Sequence, residues 1–142
     1  MKTLALVSGD LAIGDGGYQM LTGGPRIRQD LALAMAEPYG HDTYHPEYGS
    51  VLASYIGEPL TAELELLVRS EVVRVLQQYV AAQQADIATD ALATARSRYS
   101  YADVVDAVTS VAAEVSFSTV KVLVGLRTRA GAAVNVVRTV AL

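Results

Sequence analysis

The sequence predicts an α+β fold, with helices packed on a small antiparallel C-terminal β-sheet, and three features carry that expectation. Apolar residues recur at helical spacing in residues 25–36 and again from 61 to 79. Beyond residue 110 the period changes to two, with valines alternating against polar or small residues. Glycine-rich turns break up the first two dozen residues. A chain of 142 residues is long enough for one domain with a real core. We expect a single domain over residues 1–142: an N-terminal arm with short strands (1–21), a helical part with a central loop at 37–50 (22–108), and a β-meander (109–142).

Composition narrows the function classes. Apolar residues make up 51% of the chain, but much of that is Ala and Val, with no Trp and one Phe. Such a chain predicts a surface completed by partners. No apolar run approaches the eighteen or more residues of a membrane span. The run at residues 4–7 is too short for a signal-peptide core and has no clear cleavage site. With no cysteine, disulfides and thiolate metal sites are excluded, which suits cytosolic synthesis. A net charge of −4 argues against a non-specific nucleic-acid binder.

Residues 4–7 read as a short strand or a partner-bound arm. Residues 10–13 and 18–21 read as two short strands around the Gly14-Asp15-Gly16-Gly17 turn. Strands this brief need a larger body to lie on. A helix follows over residues 25–36, with Pro25 at the first helical position, where its missing N–H costs nothing. Ile27, Leu31, Ala34 and Met35 share its apolar face, with Arg26, Gln29 and Asp30 opposite. Pro38 ends it. After a loop rich in His, Tyr, Pro and Gly, residues 50–56 make a helix of under two turns, with Gly57 as its stop.

The longest helix starts at the N-cap Thr61, with Glu63 and Glu65 near the positive end of the dipole. Leu64, Leu67, Val68, Val72, Val75, Leu76 and Tyr79 make its stripe, and the helix continues to about Gln84; Glu65, Arg69, Gln77 and Gln78 fall outside the stripe. Residues 86–98 are Ala-rich and helix-compatible. Ser100-Tyr-Ala-Asp103 resembles a capping box leading into one or two helical turns that end near Ala107. Three antiparallel strands close the chain. Val111, Ala113, Val115 and Phe117 alternate with Ala112, Glu114 and Ser116. Val120, Val122, Val124 and Leu126 alternate with Lys121, Leu123, Gly125 and Arg127. Val134, Val136 and Val140 continue the pattern after Arg129-Ala-Gly131.

The run Gly40-His-Asp-Thr-Tyr-His-Pro46-Glu47-Tyr48-Gly49-Ser50, with the upstream D-L-A-I-G-D-G-G turn and the downstream Gly57-Glu58-Pro59, resembles the baseplate wedge and sheath-initiator subunits of contractile phage tails. The likeness covers residues 10–85 and 105–142; residues 86–100 look like an insertion. Two departures stand out: the family's Glu-Arg pair after the glycine is His41-Asp42 here, and the basic residue before the proline is His45. The family's inter-subunit ion pairing does not carry over to these positions. The resemblance implies a fold like the inner domain of the sheath protein and no enzymatic activity. It implies a place in the virion tail baseplate, assembled in the bacterial host cytoplasm. The implied partners are the tail sheath protein and other wedge subunits, with hub or tube proteins as further candidates; no nucleic acid and no membrane span are expected.

Two interfaces follow from it. Glu37, Pro38, Gly40, His41, Asp42, His45, Pro46, Tyr48, Gly49 and Glu58 would form a core loop against other wedge subunits. Val120, Val122, Val124, Leu126, Val134, Val136 and Val140 would form a sheet edge that takes arms from the first sheath ring.

The same residues bear on other chemistries. His41 and His45 have metal-ligand spacing only on a helix, which Pro46 opposes, and spacing fixes no third ligand, so neither metal nor cofactor is expected. Glu37, Asp42, Glu47 and Glu58 could supply a glycosidase carboxylate pair, and some relatives carry an old lysozyme label, so a lysozyme-like cell-wall-degrading tail protein is the alternative. A tube or head–tail terminator keeps the assembly role elsewhere in the particle. Gly14–Gly17 and Gly23-Gly24 lack the lysine of a phosphate loop and read as turns. Tyr39, Tyr44, Tyr48 and Tyr55 read as packed interface aromatics rather than a base-stacking platform.

Overall fold

The computed structural model describes residues 1–93 and 96–141; residues 94, 95 and 142, which fall within the expected helical 86–98 stretch and at the end of the meander, lie outside the described residues. The architecture is α+β. Six two-residue strands come first, then helix α1 (Gly23–Ala36), a 3-10 turn (Leu52–Tyr55), helix α2 (Ala62–Leu92), and three long strands β7 (Val105–Val115), β8 (Thr119–Thr128) and β9 (Ala133–Ala141). The three-stranded sheet has β8 at its centre, antiparallel to both neighbours. Helix α1 packs on β9 and α2 on β7, so one face of the sheet is covered. Ile27, Leu31, Leu52, Val68, Val72, Val120 and Val122 form the solvent-free centre of the core. No helix among the described residues is long and apolar enough to cross a membrane.

The first twenty-one residues form three two-stranded ladders that meet at a point; the expected turn at Gly14–Gly17 closes one of them, and each of the two strands expected beside it is divided in two. β1 (Thr3–Leu4) pairs with β6 (Met20–Leu21), β2 (Leu6–Val7) with β3 (Asp10–Leu11), and β4 (Ile13–Gly14) with β5 (Gly17–Tyr18). At the junction three equally spaced residues close a hydrogen-bonded ring. Ala5 N–H donates to Gln19 O (2.8 Å), Gln19 N–H to Ala12 O (3.0 Å) and Ala12 N–H to Ala5 O (2.9 Å). Ser8 (φ 54°) and Gly9 (φ 85°) supply the two left-handed residues of the β2–β3 turn. The hairpins lie on α1 through Gln29, whose side-chain amide accepts from Leu6 N–H and donates to Leu4 O, both at 2.8 Å. A side chain thus stands in for a neighbouring strand.

Helix α2 runs on well past Gln84 without interruption to Leu92. Leu67 of the expected stripe is exposed, and beyond Val80 the buried residues of the helix, Gln83 and Asp90, are polar. Gln83 is 2% exposed; it donates to Asp103 O (2.9 Å) and accepts from Val105 N–H (3.1 Å), fixing the start of β7 as a ladder partner would. Asp90 holds the returning chain: its carboxylate takes the Arg98 backbone N–H (3.0 Å) and guanidinium (2.8 Å), and those bonds keep it below the usual carboxylate range.

Three local expectations change. Residues 104–107 are not helical; β7 starts at Val105 and pairs with Thr128, while Arg129 N–H donates to Val104 O. Two register shifts, between Val105 and Ala107 and between Val108 and Ser110, blur the two-residue period there, which is why alternation is readable only from Val111 onward. Phe117 is an exposed turn residue, not an inward one. Arg26 is buried, 3% exposed, instead of facing solvent. Its guanidinium pairs with Asp30 (3.1 Å), approaches Asp103 (3.8 Å) and lies 5.1 Å from the Tyr99 ring centroid.

Asp103 is the joint of this region. Its carboxylate accepts from Gly23 N–H (2.6 Å), Ser100 N–H (3.0 Å), Ser100 Oγ (2.7 Å) and the Met1 ammonium (3.1 Å). Burial opposes ionisation, but those donors outweigh it and hold the carboxyl well below its ordinary value. A group ionised more readily in the folded chain than in the unfolded one stabilises the fold above its unfolded pKa and loses that contribution as pH falls. Asp103→Asn should therefore cost about 2–4 kcal/mol at neutral pH. In urea titrations the gap from the parent chain should persist down to about pH 5 and narrow steadily below about pH 4. A gap that stays constant into acid would show that the charge is not what matters.

Candidate interaction site

The central loop is built between the end of α1 and the 3-10 turn. Glu37 O accepts Ser50 N–H (2.7 Å) and Ser50 O accepts Tyr39 N–H (3.0 Å), a short parallel bridge between Pro38 and Ser50 that closes the loop at its base. Within it, Gly40 N–H donates to Tyr48 O (3.4 Å), His41 N–H to Pro38 O (3.2 Å) and Tyr48 N–H to His45 O (2.9 Å). The Asp42 carboxylate accepts from Tyr44 N–H (2.8 Å) and His45 N–H (3.2 Å), forming a turn around Pro46's approach. His41 Nδ1 lies 3.0 Å from the Glu37 carboxylate.

Two residues that the sequence reading passed over anchor this loop to α2. Arg74 donates to Gly49 O (2.7 Å), makes a two-pronged contact with Glu71 (2.8 Å to each oxygen) and stacks 4.7 Å from the centroid of Tyr39. Glu71 in turn accepts Val51 N–H (2.9 Å). Burial works against the Glu71 charge, yet Arg74 and the Val51 amide leave its carboxyl below the ordinary value, while Glu71 raises Arg74. An acid and a base three apart at the edge of a helix's apolar stripe was the available signal.

The loop roofs a cavity of 370 Å³ lined chiefly by Ala34, Tyr44, His45, Pro46, Tyr48 and Tyr79. Of the four acids considered for hydrolysis, Glu47 alone lines it. Glu37 is engaged with His41, Asp42 with its own loop, and Glu58 is exposed beyond the 3-10 turn. Tyr79, half-buried, donates to Asp30 (3.1 Å), and its desolvation pushes the phenol up strongly; burial also raises Asp30 against the pull of Arg26. Among the described residues no three His, Asp or Glu side chains converge on a point that could hold a metal.

The sheet places the valines differently from the expectation. Val120, Val122, Val124 and Leu126 sit on β8, which is paired on both sides, so they are core and not edge. Val134 and Val136 do lie on an outer strand, but their side chains are buried beneath α1, and Val140 is half-buried. The edges are the outer sides of β7 and β9, and neither has a ladder partner among the described residues. The face away from the helices carries Ala112, Leu123 and Val137 in one row and the Glu114–Lys121 pair (3.1 Å) in the next.

The base of the central loop admits no side chain at Gly49. Its φ is +99°, and an added Cβ would lie 2.6 Å from Glu37 O and 2.8 Å from Pro38 O, both backbone atoms. Gly49→Ala should lower stability by roughly 3 kcal/mol or more, read as the free energy of urea unfolding. A loss under about 1 kcal/mol would mean that the bridge at Pro38 and Ser50 is not formed.

No protein-family model matches the chain, and no curated protein does. A solved structure from Geobacter sulfurreducens described as a "putative tail lysozyme" is similar over 82% of this chain and 88% of its own, at 15% identity and a TM-score of 0.52. At that identity the likeness is one of fold.

Proposed function

We propose that the chain is a structural, non-enzymatic component of a contractile tail baseplate. It would join the wedge through the central loop and receive strands of the first sheath ring at the rim of its C-terminal sheet. The observation that carries this reading is the open rim: a valine-rich sheet covered by helices on one face, with both outer strands unpaired among the described residues. The similar fold of a protein named for a tail supports the setting, as does the order of residues from Gly40 to Ser50.

Magnitudes say what such a rim must do. Six added backbone hydrogen bonds stabilise by roughly 3–9 kcal/mol, at about 0.5–1.5 each. Ordering six arm residues costs roughly 6–12 kcal/mol. Hydrogen bonding alone therefore about breaks even, and affinity must come from side chains buried alongside and from ring symmetry linking many weak contacts. The rim is better tested intact than by truncation, because β8 and β9 supply core residues and their removal would unfold the chain.

The similar structure's name favours a second reading, a cell-wall hydrolase. Two assays separate them. Mixed with purified sheath protein of its own tail, the chain should seed sheath tubes visible by electron microscopy and shorten the lag of assembly; sheath growth indifferent to the chain would contradict templating. Incubated with peptidoglycan, it should release no soluble fragments. Release that falls about a hundredfold or more in Glu47→Gln would establish the hydrolase instead.

A further inference from the structure

The two rims of the sheet are not equivalent. β7 is interrupted by two register shifts and carries Asp106 and Glu114, devices that discourage a further strand. β9 keeps an unbroken register with β8 over nine residue pairs, from Thr119↔Ala141 to Arg127↔Ala133, and its one charged side chain is Arg138. Alongside β9 lies a groove of 510 Å³, floored by α1 and walled by the N-terminal hairpins through Leu6, Gly9 and Leu21. Val136, Val137 and Arg138 form its β9 side.

The groove has a charge of its own. Arg28 and Arg138 line it and no Asp or Glu does, in a chain whose net charge is −4. Neither arginine has a carboxylate within ion-pair distance among the described residues. The Arg138 Nε is buried and has no hydrogen-bond partner. Such a donor is costly to leave unmade, and a carboxylate is the acceptor that suits a guanidinium best. Apart from Gln29, whose amide is bonded to Leu4 and Leu6, the remaining lining, chiefly Leu6, Leu21, Ala32 and Leu33, is apolar.

Resting on the strand-addition reading above, we propose that β9, and not β7, is the receiving edge, and that its partner is an extended, acidic polypeptide segment. Side chains alternate across a strand, so an added residue opposite Val136 and one opposite Arg138 face the same side, over α1. The partner's pattern is then apolar, any residue, acidic: an apolar side chain over the leucines and a carboxylate at Arg138, within reach of Arg28. Unpaired backbone groups along the rim favour a polypeptide over a nucleic-acid strand, whose phosphates would meet only two cations.

The test uses the full chain and capped peptides of about ten residues that alternate Val and Thr around one central Glu or Lys. Fluorescence anisotropy should show the Glu peptide binding about tenfold or more tightly than the Lys peptide. Arg138→Glu should reverse that preference. Arg28→Glu, on the exposed side of α1, should weaken the Glu peptide with no threat to the fold. Amide exchange should slow on β9. Equal affinity for the two peptides, protection on β7 instead of β9, or a single-stranded oligonucleotide displacing the Glu peptide would each overturn the proposal. If the proposal fails while the chain still seeds sheath tubes, the assembly reading stands and only the edge and charge assignment falls.

Discussion

One buried carboxylate ties the parts of this molecule together. Asp103 meets the first amide of α1 at Gly23, the loop before β7 at Ser100, and the ammonium of Met1, and its own carbonyl is held by Gln83 of α2. Removing an ionised carboxylate from water costs several kcal/mol unless its lone pairs are filled. Here four donors fill them, so burial becomes a source of orientation rather than a defect. The same residue thus joins the start of α1, over β9, to α2, over β7.

Glutamine side chains extend the same logic. Gln29 and Gln83 each present an amide that donates and accepts, and each is laid against the side of a strand segment that faces away from its ladder partner. The substitution lets very short strands persist. It also means that the elements at both ends of the helical part are positioned by single polar residues; loss of Gln83 would leave the Asp103 carbonyl and the Val105 amide unpaired in a dry environment.

Much of the fold was legible because apolar periodicity reports burial directly. Ile27, Leu31, Ala34 and Met35 read as core and are core, as do Leu64, Val68, Val72, Val75 and Leu76 of the α2 stripe, whereas Leu67, expected in that stripe, is exposed. Thr61 reads as an N-cap, and its hydroxyl accepts Leu64 N–H at 3.1 Å. What failed was polar burial. Arg26, Gln29, Gln83 and Asp103 look like surface residues in a one-dimensional pattern, because their partners lie far away in the chain. The bulges of β7 hid its first half, and a capping box that closes a turn across three elements mimicked a helix start. At the candidate site, the loop residues from Glu37 to Gly49 stood out by composition, whereas Glu71 and Arg74 were concealed within a long helix. The edge valines were mistaken for rim because alternation reveals which face is apolar but not which strand is central; strand order is a property of three dimensions alone.

The account as a whole turns on the sheet being unfinished until a partner arrives. An electron cryo-microscopy map of an assembled tail base containing this chain tests that most directly. The account predicts a fourth strand, of foreign sequence, running at about 4.8 Å from the backbone of β9. A map in which β9 borders solvent, or is sealed by the chain's own N-terminal hairpins, would contradict it.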